Sequence, residues 1–169
     1  MNRREIAYIF FFIFLVLLQA TVLNDIALFG YATPLLYICL ILKLPSLMKT
    51  NWVMTVAFFM GLAVDIFSNT PGMNAFAATT MAFMRKSVMT LVLPRSDDAV
   101  SVIPSMTTFG VEHFIGYTFF TVFPFCLVLF VVDAFTFFNP VTLVLRFLSS
   151  TLLTFVLILA VDCIKPAKK

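Results

Sequence analysis

The sequence predicts an all-α membrane protein: six transmembrane helices in one bundle, with both termini in the cytoplasm. Three observations predict it. The first is composition. Of 169 residues, 62% are hydrophobic and 11% charged, with a mean hydropathy of +1.09 and 22 Phe. A soluble domain is about half apolar and about a quarter charged. The second is a series of apolar runs near membrane length. The third is where the basic residues fall. The length suits one domain, residues 1–169, with no room for a separate soluble one.

A membrane helix needs about 20 apolar residues, because the hydrocarbon core is about 30 Å thick. Ile6–Leu23 is the first candidate. Arg3 and Arg4 precede it as in a signal peptide, but no A-x-A site follows, so it reads as an uncleaved first helix. Trp52–Phe67, Phe114–Phe138 and Val141–Ile164 are equally clear. Two runs are shorter: Pro34–Leu42, reaching Met48 if Lys43 snorkels, and Gly72–Met84. These must continue past Lys43 and Arg85 or lie where the bilayer is thin. Val88–Leu93 is an extra turn of the fourth helix or a segment on the membrane surface. Pro124 lies inside the fifth span and predicts a kink.

The basic residues test this count. Arg3 and Arg4, Lys43 and Lys49, Arg85, Lys86 and Arg95, and Lys165, Lys168 and Lys169 fall in segments that six spans place on one side. The opposite connections carry none. The positive-inside rule makes the basic side cytoplasmic. Five or seven spans break the pattern.

Each helix returning from the outer side opens with a polar residue and Pro: Thr33-Pro34, Thr70-Pro71 and Asn139-Pro140. Such pairs suit a cap and a first helical turn. Each outgoing helix ends near an acid: Asp25, Asp65 or Asp133. In Gly61–Ala77, Asn69 and Thr70 are ordinary turn and capping residues. Asp65 is less ordinary, because Ser68 or Asn69 can end that helix without it.

Arg146 is the basic residue that falls inside a span. A lone charge in hydrocarbon is costly, so Arg146 is expected to pair with Asp133 or Asp65 in the outer half, the alternative being separate snorkelling. Glu112 and His113 read as interfacial anchors, and Trp52 as a belt residue. Asp162 is expected to meet a terminal Lys or water. Cys39, Cys126 and Cys163 lie in apolar runs without metal-ligand spacing and read as buried small hydrophobes, so no metal or other cofactor is expected. No GxSxG, Walker or HExxH motif occurs. The basic clusters suit anionic lipid headgroups, not nucleic acid.

Gly61–Asp65 (GLAVD), followed by Pro71-Gly72-Met73-Asn74-Ala75, resembles the stretch around the third and fourth helices of MreD, the rod shape-determining membrane protein of bacteria. Leu18–Ile38 is similar to that family's turn between the first two helices. The resemblance runs over most of the chain, on short motifs. It implies a non-enzymatic scaffold of the cell-elongation machinery in the inner membrane. The implied partners are MreC and, in association, MreB, RodA and a class B penicillin-binding protein. It also implies a fold similar to the substrate-binding subunits of energy-coupling-factor vitamin transporters. On matching positions the motif residues are Gly61, Asp65, Pro71, Gly72 and Asn74.

A vitamin-transporter subunit is the alternative. It normally carries small residues four apart on its first helix, whereas Ile6–Leu23 has only Ala7 and Ala20 between bulky residues. A lipid-acting enzyme is a further rival. Asp65, Asp133 and Arg146 can hold a phosphate-bearing headgroup, but no nucleophile accompanies them.

Overall fold

The computed structural model describes residues 33–92, 103–134 and 140–164. Among these residues the regular structure is entirely helical. In chain order the helices are α1 (Ile38–Leu42), α2 (Thr50–Ser68), α3 (Met73–Val92), α4 (Met106–Phe109), α5 (Val111–Ala134) and α6 (Pro140–Ile164). The first expected span, Ile6–Leu23, lies outside the described residues, as do Asp25 and Arg95.

Three helices are long and apolar enough to cross a membrane: Thr50–Ser68, Val111–Ala134 and Val141–Cys163. They coincide with the third, fifth and sixth expected spans. The fourth run grows into the 20-residue α3, which takes in Arg85, Lys86 and Val88–Val92. The apolar segment after Arg85-Lys86 is thus a continuation of the helix. The helix α5 continues through Pro124.

The second expected span differs most. From Pro34 the chain turns irregularly and is helical only over Ile38–Leu42. Five residues rise only about 8 Å. Yet Leu35 and Tyr37–Leu42 are all buried, in one apolar cluster with Val53, Met60, Met81, Phe114 and Phe125. Non-helical backbone is tolerated inside a membrane only where protein surrounds it, and this segment is buried among the other helices.

Burial alone does not hold such helices together, because lipid tails are as apolar as leucine. Close backbone approach and polar contacts decide the packing. Both are present. A Cβ on Gly61 of α2 would come within 2.4 Å of the Ala75 Cα and 2.5 Å of its nitrogen. Only glycine lets α2 and α3 meet there. Around this crossing the facing residues are small or slender: Ala57 and Val64 on α2, Ala77, Ala78 and Ala82 on α3. The opposite faces carry exposed aromatics, among them Phe58 and Phe59 on α2 and Phe76 and Phe83 on α3. On α6, Ser150, Thr154 and Ile158 face inward at helical spacing, while Val141, Val144, Leu145, Leu148, Leu152 and Val156 are exposed.

Candidate functional site

The turn between α2 and α3 is organised by Asp65. Its backbone carbonyl accepts from the amides of Asn69 and Thr70 and so ends α2. Asn69 takes the left-handed conformation, φ 54°, that commonly closes a helix. The Asp65 side chain, 4% exposed, points across the Gly61 crossing to the start of α3. There Oδ1 accepts from the Asn74 amide and the Asn74 side-chain amide, both at 3.0 Å, and Oδ2 accepts from the Ala75 amide at 2.9 Å. A carboxylate at a helix N-terminus satisfies free amides and complements the helix dipole. One residue therefore ends one helix and caps the next.

Thr70 adds its hydroxyl to Asp65 Oδ1 at 2.8 Å and accepts from the Asn74 side chain at 3.3 Å. The Asn74 oxygen accepts from the Tyr37 hydroxyl at 3.0 Å, which ties the hairpin to the buried segment. The expected cap by Asn69 or Thr70 is thus replaced by one delivered from the preceding helix. Pro71 is exposed and lies two residues before α3, and Gly72 has φ 79°. Of the three polar-Pro openings, only Pro140 is the first residue of a helix; α1 begins four residues after Pro34.

A second set of polar contacts grips the buried segment at both ends. Near its start, the Thr33 amide donates to Ser150 Oγ at 3.0 Å and the Leu35 amide to Thr154 Oγ1 at 3.2 Å. These two hydroxyls, one turn apart on α6, supply acceptors that the irregular backbone lacks. Near its end, the Leu42 carbonyl accepts from the Tyr117 hydroxyl at 3.2 Å and from Arg85 Nη2 at 3.4 Å. The same Nη2 also donates to the Leu44 carbonyl, and Arg85 Nε donates to Tyr117 Oη at 2.9 Å. Arg85 is only 3% exposed. Its cation sits among carbonyl and phenol oxygens.

The sequence groups Arg85 with the basic residues between the fourth and fifth spans and lets the fourth helix continue past it; α3 does continue, and Arg85 joins Asn74, Ala78, Met81 and Ala82 on its buried face. That spacing is the signal that could have found it. Asp162 likewise takes a partner that the sequence did not suggest. It pairs with Lys43 Nζ at 2.7 Å, with both side chains nearly buried, and its other oxygen accepts from the Met106 amide at the start of α4 at 2.7 Å. No local signal marks Tyr37, Tyr117, Ser150 or Thr154, whose partners lie 32 to 119 residues away.

The charges expected inside the membrane divide. Asp65 gives its oxygens to the α3 cap. Asp133, on the last turn of α5, lies close enough to Arg146 for the guanidinium to act on it electrostatically. Both are half-buried. Glu112 is exposed on the first turn of α5, with His113 half-buried beside it. Trp52 is 64% exposed at the first turn of α2, as suits a belt residue. Cys39 and Cys126 are buried, whereas Cys163 is exposed, contrary to expectation. Among the described residues no three His, Cys, Asp or Glu side chains gather as metal ligands.

The arrangement can therefore do two things chemically. It satisfies buried backbone through polar side chains, and it leaves broad apolar faces outward. No protein-family model, curated protein or solved structure matches this chain.

Proposed function

We propose that this chain is a non-enzymatic scaffold of the bacterial inner membrane, a member of the cell-elongation machinery that binds MreC and neighbouring wall-synthesis proteins. In this reading the bundle has six crossings and cytoplasmic termini. Ile6–Leu23 is the first crossing, and the broken segment through Pro34–Leu42 belongs to the second. The alternation of basic and non-basic connections supports the orientation.

One observation carries the scaffold reading. Among the described residues, the chain's own segment Leu35–Leu42 lies in the buried core, and the polar side chains around it hold that segment in place. A transporter subunit needs that core for a vitamin. Among the described residues the long helices carry exposed apolar faces: Phe59 on α2, Phe120 and Val131 on α5, and Leu148 and Leu152 on α6. Association in the bilayer then rests on shape fit between such faces and a few polar contacts.

The test is to tag the chain in its native membrane, solubilise it gently and identify what co-purifies. Recovery of MreC with RodA and a class B penicillin-binding protein supports the proposal. Recovery of an ATP-binding cassette module in their place makes it a vitamin-transporter subunit and overturns it.

A further inference from the structure

The sequence groups Lys43, Lys49, Arg85 and Lys86 as basic loop residues on one side. The fold sorts them. Lys43 is held by Asp162, and Arg85 by carbonyls and a phenol. Neither is available to anything outside. Lys49 and Lys86 are both exposed, and neither makes an ion pair among the described residues.

The hairpin register brings these two cations to one end. Gly61 and Ala75 fix the antiparallel crossing of α2 and α3. Lys49 lies twelve residues before Gly61 and Lys86 eleven residues after Ala75. At helical rise both stand about 16–18 Å from the crossing, on the same side of it. Arg85 reinforces this by holding the Leu44 carbonyl, just before the Pro45–Met48 turn that leads to Lys49.

Below each lysine, one turn nearer the crossing, is an exposed aromatic: Trp52 and Phe83, 64% and 63% exposed. The acid on this hairpin, Asp65, is at the opposite end and buried in the α3 cap. Glu112, exposed at the start of α5, pairs with neither lysine.

We infer that the Lys49/Lys86 end of the α2–α3 hairpin is a docking surface for anionic phospholipid, with the phosphate held by the two ammonium groups and the acyl chains lying along Trp52 and Phe83. The positive charge there complements a phosphodiester, and exposed aromatics one turn from cationic ends are the arrangement found where headgroups give way to acyl chains. The inference rests on the membrane reading but on no partner or orientation.

The test uses the purified full-length chain in detergent, titrated with dioleoylphosphatidylglycerol or dioleoylphosphatidylethanolamine and read by native mass spectrometry. The expected result is preferential retention of phosphatidylglycerol, about fivefold weaker in K49Q or K86Q and about thirtyfold weaker in the double variant. Both positions are exposed, so these variants fold. Equal binding of the two lipids overturns the proposal, as does a double variant that binds like the parent. An equal loss in K165Q/K168Q also overturns it, since general positive charge then suffices. Failure here leaves the scaffold proposal standing, because partner capture does not depend on this surface.

Discussion

Gly61 on α2 lies against Ala75 on α3 so closely that a Cβ at position 61 would meet the Ala75 Cα at 2.4 Å. The obstruction is backbone, which cannot swing aside as a flexible side chain can. Gly61→Ala must therefore push the two helices apart, lengthening the Asp65 contacts one turn away. We expect a loss of about 2–3 kcal/mol or more, measured by reversible unfolding in bicelles. Gly72→Ala is the internal comparison. It has open space around it but φ +79°, so it should lose only about 1 kcal/mol.

Asp65→Ala removes the acceptors of two backbone amides, the Asn74 side chain and the Thr70 hydroxyl. Buried donors left without partners are penalised by about 1–3 kcal/mol each before relaxation. The net expectation is about 2–4 kcal/mol in the same unfolding measurement. Asp65→Asn keeps one acceptor oxygen but turns a donor toward other donors, so it should fall between parent and Ala.

How far these relationships were legible depends on their range. The long helices follow from apolar runs, so three of the expected spans appear within a few residues of their predicted ends. The hairpin at Asn69–Asn74 was legible as turn chemistry. Its cap was not, because Asp65 reaches α3 only where Gly61 permits the close crossing. The Pro34–Leu42 run reads as a short span that reaches Met48 if Lys43 snorkels. Its true character depends on Ser150, Thr154, Arg85 and Tyr117, all far away in the chain, and no local pattern encodes such partners. By sign, Lys43 and Arg85 group with the basic side of the membrane, with the helices either continuing past them or stopping short; only for Arg85 does the helix continue. Charge counting places a segment on a side of the membrane, but it does not distinguish a cation in water from one held by carbonyls.

Lys43 and Asp162 are nearly buried, so removing one partner strands the other. Asp162→Asn should lose about 3 kcal/mol, and Lys43→Met somewhat less, since Asp162 keeps the Met106 amide. The double variant Lys43→Met/Asp162→Asn should be less destabilised than the sum of the two. A double-mutant cycle by unfolding should give a coupling of about 1–3 kcal/mol. Strict additivity contradicts the pairing.

Arg85→Lys retains the charge but lacks the planar fork that reaches Tyr117 and two carbonyls together. It should lose about 2 kcal/mol despite its conservative appearance. At the other end of the buried segment, Thr154→Val deprives the Leu35 amide of its acceptor and should lose about 1–3 kcal/mol. A loss below about 0.5 kcal/mol in both variants would show that the segment is not held by these contacts.

In the proposed function, polar side chains serve the interior while apolar faces meet the partners. Three sets of outward substitutions test it most directly in tagged chains recovered from native membranes: Phe59→Ala on α2, Phe120→Ala with Val131→Ala on α5, and Leu148→Ala with Leu152→Ala on α6. The expected outcome is unchanged stability in all three and loss of MreC recovery in at least one. Unchanged MreC recovery in all three sets overturns that division of roles.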